Sequence, residues 1–488
     1  MIVDVANVEG AVTTGFYCLG SDAAQPDGAQ PNLGNVLGFP LAASAEAAGF
    51  RACLHCRPYR REPSASGLGP ELVCRAVRLV LDGTLDDGTE EDLGARLGLS
   101  GRQLRRLFGE HLGVTPDQLA RSARVHFARR LLDDTDLPIT ELAFAAGFGS
   151  VRQFNRSCQE VFQATPGELR ARRWVQDRLV ADGGLALRVP FQPPLAWDAM
   201  LGVLRARAIP GVEHVSAVSY RRTVLIDDDP GVIELAPEGP ENLVLRAHLP
   251  HWAGLIHVAR RARRIFSLDA DAVAADHDLS RDPVIGRLVA ARPGMRPPGT
   301  WDPFEAAVGA IVAEHADPAE HADPVEHAHP AGATTMMRRI TERHGREVPG
   351  LRPLGLTHVF PAPRELAAAD LHGLGLPAAC IIAIRGLAQA VADRTVDLDQ
   401  VSGLPALVDS LTAIPGVTAA TAQGLAMRLG EPDAFPAESP VLLRALSMVT
   451  GHPVEAAEAE RIAGRWWPWR AHAATHLLLG AAATPPPG

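Results

Sequence analysis

The sequence predicts a multidomain, mainly α-helical chain that carries one small α+β unit. Three observations lead to that class. The chain has 488 residues, more than one hydrophobic core organises, so three or more domains are expected. A helix, a glycine turn and a second helix recur twice in the first third. The second half opens with alternating strand-like runs and passes, near residue 299, into almost unbroken helical periodicity. The expected segments are a small metal-knuckle segment at 1–61, a tandem helix-turn-helix unit at 70–174, an α+β unit at 185–298 and an all-helical helix-hairpin-helix unit at 299–480.

Composition narrows the function. Apolar residues make up 47% of the chain, enough to bury real cores. The formal net charge is −10, so affinity for DNA has to come from local basic faces. All 47 basic residues are Arg, which leaves no lysine side chain to form a Schiff base and removes lyase chemistry of that kind unless the N-terminal amine serves. No positively charged apolar leader and no bilayer-length apolar run is read, so a cytoplasmic protein with no membrane partner is expected.

In segment 1–61, Cys53-Leu54-His55-Cys56 forms a C-x-x-C knuckle and Cys18 follows the short β-like run 13–17. Three thiolates suit zinc, and a closed structural site needs a fourth ligand. This pattern resembles the N-terminal methyl-accepting domain of Ada, in a shortened form. The family binds zinc through four cysteines, one of which takes a methyl group from a DNA phosphotriester. The resemblance implies Cys18 as acceptor and a ligand set of Cys18, Asp22, Cys53 and Cys56. Asp22 departs from the family's cysteine, although a carboxylate can complete a Cys3Asp site; His55 inside the knuckle is a poorer substitute. The logic of the family, in which methylation removes a negative charge beside DNA, requires a metal-activated thiolate at Cys18.

The next segment is read residue by residue. In 141–156, Leu142, Ala145 and Ala146 recur at helical spacing, Gly147 turns the chain, and Ser150 caps a helix beginning near Val151. Phe154 is expected to face inward, leaving Arg152, Gln153, Asn155 and Arg156 outward, side-chain types that reach base edges and phosphates. Upstream, 91–99 forms a short helix, Gly98-Leu99-Ser100 a turn and cap, and 101–110 a helix with Leu104, Leu107 and Phe108 inward and Arg102, Gln103, Arg105 and Arg106 outward. Residues 115–132 connect the two copies. The run Phe162-Gln163-Ala164-Thr165-Pro166-Gly167-Glu168-Leu169-Arg170 closes the unit, which resembles the AraC-type DNA-binding domain over 71–173. That resemblance implies two recognition helices on adjacent major-groove segments of double-stranded DNA.

After an Arg- and Asp-rich linker at 174–184, strands are expected at 187–190, 220–225 and 232–235, and helices at 197–206 and 255–265. With the helical remainder, this half resembles AlkA-type 3-methyladenine DNA glycosylases. The resemblance rests on Arg207-Ala208-Ile209-Pro210-Gly211-Val212-Glu213, on 301–304, on Pro432-Asp433-Ala434-Phe435-Pro436, and on Trp466-Trp467-Pro468-Trp469-Arg470-Ala471. Base excision requires a hairpin that offers backbone amides to a phosphate, aromatic rings around a flipped base, and a carboxylate beside the sugar. The hairpin here reads Ile414-Pro415-Gly416-Val417-Thr418, with Thr418 in place of the family's second glycine, where a β-branched residue is expected to resist a positive φ. The family's aromatic positions fall on Ala420 and Gly424, and its essential aspartate on Ser439; the neighbouring Glu438 is displaced by one residue and followed by Pro440. Residues 313–330 form a tandem hexapeptide with Pro at every sixth position, expected to be a solvated loop.

The expected function is a sequence-specific regulator, an activator in the Ada/AlkA manner, whose glycosylase-like half has lost catalysis. RNA polymerase, a small-molecule ligand in the altered pocket and a second copy of the chain are the further partners considered. The alternative is a bifunctional regulator that also performs glycosylase and methylphosphotriester repair.

Overall fold

The computed structural model describes residues 8–11, 16–19, 36–53, 57–60, 70–174, 178–179, 183–316, 331–398 and 403–483. The chain divides into two compact units, Met1–Phe191 with His251–Arg260, and Gln192–Pro250 with Arg261–Gly488.

The first unit begins with β1 (Val8–Ala11), β2 (Phe16–Leu19), β3 (Val36–Phe39), α1 (Ala42–Ala47) and β4 (Arg51–Ala52). The strands form one sheet in the order β3-β1-β2-β4, with β2 and β4 parallel. Helices α2 (Glu71–Leu81), α3 (Thr84–Asp87), α4 (Glu90–Arg96), α5 (Gly101–Leu112), α6 (Pro116–Asp134), α7 (Ile139–Ala145), α8 (Val151–Phe162) and α9 (Pro166–Ala171) follow, then β5 (Leu185–Pro190). Capping chemistry sets several of these boundaries. Thr89, Ser100, Thr115 and Thr165 each accept from the backbone N–H three residues on, while the side chain at that position reaches back to the cap; each reciprocal cap satisfies two otherwise orphaned donors. Pro116 and Pro166 take the first helical position, where a missing N–H costs nothing.

Helix α6 is buried on nearly every face. Besides Leu119, Val125, Phe127, Leu131 and Leu132 it hides Arg124, Arg129, Arg130, Asp133 and Asp134. Leu41 and Ala43 of the N-terminal segment join the same apolar cluster as Val73, Val77, Leu104 and Phe108. The segment therefore packs against the helices and shares their core.

In the second unit α10 (Trp197–Arg207) precedes the antiparallel meander β6 (Glu213–Val215), β7 (Tyr220–Ile226), β8 (Asp229–Pro237) and β9 (Asn242–His248). The expected helix at 255–265 is α11 (Leu255–Ile265), whose residues up to Arg260 are counted with the first unit; the second continues with α12 (Ala272–Leu279), α13 (Gly286–Ala291), α14 (Pro303–His315), α15 (Ala331–His344), the strand pair β10 (Arg346–Glu347) and β11 (His358–Val359), α16 (Pro363–Ala368), α17 (Ala378–Ala392), α18 (Gly403–Thr412), α19 (Ala419–Leu429), α20 (Pro440–Thr450), α21 (Ala456–Ala463) and α22 (Arg470–Ala483). One apolar cluster runs from Phe304 and Val308 through Ile384, Leu407, Leu425 and Leu446 to Leu477. The hexapeptide loop lies outside the described residues from 317 to 330. Among the described residues no helix is long and apolar enough to cross a membrane.

Candidate nucleic-acid interface

The helices α5 and α8 begin in the same way. Each follows a glycine in the left-handed region, Gly98 with φ 70° and Gly147 with φ 82°, a conformation that a residue without Cβ adopts cheaply. Each then opens on an extended serine whose Oγ accepts from the third residue on, Gln103 N at 3.3 Å and Gln153 N at 3.2 Å. Both helices run 12 residues, Gly101–Leu112 and Val151–Phe162. Arg102 thus corresponds to Arg152, Gln103 to Gln153, Leu104 to Phe154, Arg105 to Asn155 and Arg106 to Arg156. Leu104 and Phe154 are completely buried, and the other eight side chains are exposed.

These exposed side chains are not equivalent. Gln103 Oε1 accepts from Ser100 N at 2.8 Å, which commits it to the cap. Arg105 is ion-paired with Glu90, and Arg106 and Arg156 lie 3.7 and 2.7 Å from Glu110 and Glu160 one turn on. Arg102 and Arg152 make no hydrogen bond or ion pair with a described residue. Both stand at the N-terminal end of their helices, where recognition helices place base-reading side chains.

The N-terminal segment is tied to α6 at several points. Tyr17 donates to Glu46 Oε1 at 2.8 Å, and the His126 ring nitrogen Nε2 lies 3.1 Å from the Tyr17 hydroxyl and 2.6 Å from Glu46 Oε1. Completely buried Asp133 takes Arg129, Arg60 at 3.2 Å and Arg57 at 4.0 Å, with the Tyr59 hydroxyl at 3.4 Å. Burial pushes that phenol up to about 12. Asp134 takes the Arg188 backbone N–H and guanidinium, both at 2.9 Å. Burial raises the Asp134 carboxyl, with the Arg188 and Arg60 contacts opposing. The long-range part of this network was not legible in the sequence, where residues 115–132 were read only as a connecting helix.

Two of the four expected metal ligands are described. The parallel register pairs Tyr17 with Ala52, and Cys53 N donates to Tyr17 O at 3.1 Å, so Cys18 on β2 lies beside Cys53, the residue that follows β4. Glu9 stands directly opposite Cys18 on β1, a nearby carboxylate the sequence reading missed. Asp22 and Cys56 lie outside the described residues. Among the described residues no three His, Cys, Asp or Glu side chains converge as a metal would require.

In the second unit, α18 and α19 frame the expected hairpin. Gly416 has φ 89°, and an added Cβ would come within 3.1 Å of the Ala383 side chain. Thr418 avoids a positive φ, as expected of a β-branched residue. Its φ is −87°, ψ 164°, and its hydroxyl accepts from Thr421 N at 3.2 Å as the N-cap of α19. This position needs no positive φ, so a β-branched residue there leaves the turn intact. Ala420 is half-buried and Gly424 has open space where a side chain would be, so neither offers a ring to a base. Ser439 precedes α20 without a side-chain capping bond, and Glu438 is exposed. Trp466 is buried against Phe435 with centroids 5.9 Å apart, Trp469 donates to Asp278 at 2.9 Å, and Arg470 donates to Glu460 at 2.8 Å; packing employs all three. Glu314 touches the Thr421 hydroxyl on α19, placing a carboxylate against the second hairpin helix.

Family models match three stretches: the metal binding domain of Ada at residues 4–59, a helix-turn-helix domain at 93–172 and the AlkA N-terminal domain at 186–302. The "Probable bifunctional transcriptional activator/DNA repair enzyme AlkA" of Mycobacterium tuberculosis (strain ATCC 25618 / H37Rv) is 36% identical over 474 residues, which is 96% of this chain and 92% of that one. The chain belongs to this AlkA family. The "DNA-3-methyladenine glycosylase 2" of Escherichia coli (strain K12) is 30% identical over 295 residues, 59% of this chain and 94% of its own length. The 3-methyladenine DNA glycosylase of Archaeoglobus fulgidus shares the fold, with a TM-score of 0.52 at 19% identity, covering 61% of this chain and 98% of that one. Regulatory and glycosylase-type parts are thus joined in one AlkA-family chain, as the sequence reading expected.

Proposed function

We propose that this chain is a sequence-specific DNA-binding regulator, acting as a transcriptional activator, whose glycosylase-like half keeps its fold without cleaving N-glycosidic bonds. One observation carries the reading. Arg102 and Arg152 occupy matching N-terminal positions on two equally built helices, and no described residue holds either guanidinium. For the other half, the support is the set of residues at the positions base excision would use, with serine at 439, alanine at 420 and no side chain at 424. The working division is 1–61, 70–174, 185–298 and 299–480. The partners are double-stranded DNA and RNA polymerase, with a second copy of the chain and a small ligand of the altered cleft as further partners.

Zinc would be held by Cys18, Cys53, Cys56 and Asp22, and its charge would keep the Cys18 sulfur as thiolate. The neighbouring positions of Cys18 and Cys53 fit such a set. The test of the main reading is selection from a random duplex pool: one motif with two half-sites should emerge, and the double variant Arg102→Ala/Arg152→Ala should enrich none. Enrichment unchanged in that variant would overturn the reading.

The second reading, a bifunctional regulator that also acts as a DNA-3-methyladenine glycosylase and repairs methylphosphotriesters, is favoured by how the M. tuberculosis relative is described and by the carboxylate of Glu314 beside α19. Mass spectrometry of Cys18 after incubation with methylphosphotriester DNA decides its N-terminal half. A gain of one methyl group supports it, and an unmodified thiol removes it.

A further inference from the structure

The motif Arg207-Ala208-Ile209-Pro210-Gly211-Val212-Glu213 borders a small cavity in the second unit, lined by Arg207, Glu213, Tyr220, Trp301 and Arg428 among others. It offers about 10 Å3 to the centre of a water-sized sphere, which is room for one water-sized body. The two carboxylates nearby are already engaged. Glu213 accepts from the Tyr220 hydroxyl and from Ile209 N at 2.9 Å, and lies 3.6 Å from Arg222. Glu305 is clasped by both terminal nitrogens of Arg222, at 3.1 and 2.8 Å.

The guanidinium groups on the other side are not engaged in this way. Arg207 makes no hydrogen bond or ion pair with a described residue. Arg428 donates one terminal N–H to Ala306 O at 3.3 Å, and its Nε has no partner among the described residues. Around this cavity Arg207, Arg222 and Arg428 outnumber Glu213 and Glu305, and the two arginines that line it, Arg207 and Arg428, are half-buried. Burial, aided by Arg428, pushes Arg207 down to about 9, and burial lowers Arg428 as well. Buried donors without acceptors cost free energy, and a buried charge without a partner costs more. A water could accept those hydrogen bonds but would leave the charge excess in place, whereas an anion supplies both.

We propose that this cavity binds one small monovalent inorganic anion, chloride in ordinary buffers, between the Arg207 and Arg428 guanidiniums. A space that holds one water-sized body suits a single-atom anion better than tetrahedral sulfate or phosphate. The inference stands apart from the DNA-binding reading and from whether the half cleaves bases.

The experiment is thermal unfolding of the full chain in sodium chloride, bromide, sulfate and gluconate at matched ionic strength. Chloride and bromide should raise the midpoint saturably, by about 2 °C or more over gluconate, and sulfate should behave like gluconate. Arg207→Gln, which keeps a polar side chain and removes the guanidinium and its charge, should abolish the halide difference. Midpoints that follow ionic strength alone, or the same halide response in Arg207→Gln, would overturn the proposal. Should that variant not fold, bromide anomalous diffraction on the unaltered chain decides. A peak between Arg207 and Arg428 supports the site, and water density alone refutes it.

Discussion

Replacing Arg152 or Arg102 with alanine removes a guanidinium that nothing described in the fold holds, so the loss should fall on recognition and leave folding alone. Each change is expected to weaken specific DNA binding by about 1–3 kcal/mol while leaving the thermal midpoint in place; titrating each variant against the selected duplex and a scrambled one checks both halves. An equal loss on the two duplexes would mark a phosphate contact and not base reading. Arg105→Ala instead breaks the pair with Glu90 and should relax specificity less. Burial raises the Cys158 and Cys380 thiols to about 12, so iodoacetamide should label neither in the folded chain at neutral pH. Peptide mass spectrometry showing them labelled as fast as in urea would contradict the packing. At this scale the sequence assigned Arg102 and Arg152 to an exposed face and Leu104 and Phe154 to a buried one, as the structure has them, because helical spacing assigns faces. It read Thr418 as resisting a positive φ, and the residue indeed takes φ −87° as the N-cap of α19; what the sequence did not show is that the turn closes without a positive φ there.

The elements were legible where local chemistry determines them. The serine caps, the glycine turns and the helix at 255–265 follow from short-range rules. What escaped the sequence was α6, whose Asp133 and Asp134 are buried in ion pairs with Arg60 and Arg188, more than fifty residues away along the chain. Charge periodicity alone gives no sign of such distant partners. Phe154→Ala should therefore cost about 3–5 kcal/mol of stability, seen as a lower urea midpoint. Ser150→Ala should cost about 1 kcal/mol through the lost cap. A Phe154→Ala chain as stable as the parent would show that α8 is not anchored as described.

For the whole molecule, acidity is the informative variable. His472 is buried on α22, and neither ring nitrogen has a hydrogen-bond partner among the described residues. Burial, with His476 and Arg296 adding to it and Asp276 opposing, pushes it down from 6.5 to about 3. Between those values the unfolded chain binds the extra proton, so stability present above 6.5 is lost as pH falls toward 3, at a slope of about 1.4 kcal/mol per pH unit for one proton. Urea midpoints should fall across that window, and His472→Phe should flatten the fall; a flat profile in the parent chain would contradict the burial. The proposed division of labour has the second half cleave no N-glycosidic bond, and release of free methylated base from alkylated duplex DNA measures that most directly. The account predicts release no faster than from DNA alone. Steady turnover that disappears in Glu438→Gln or Glu314→Gln would contradict it.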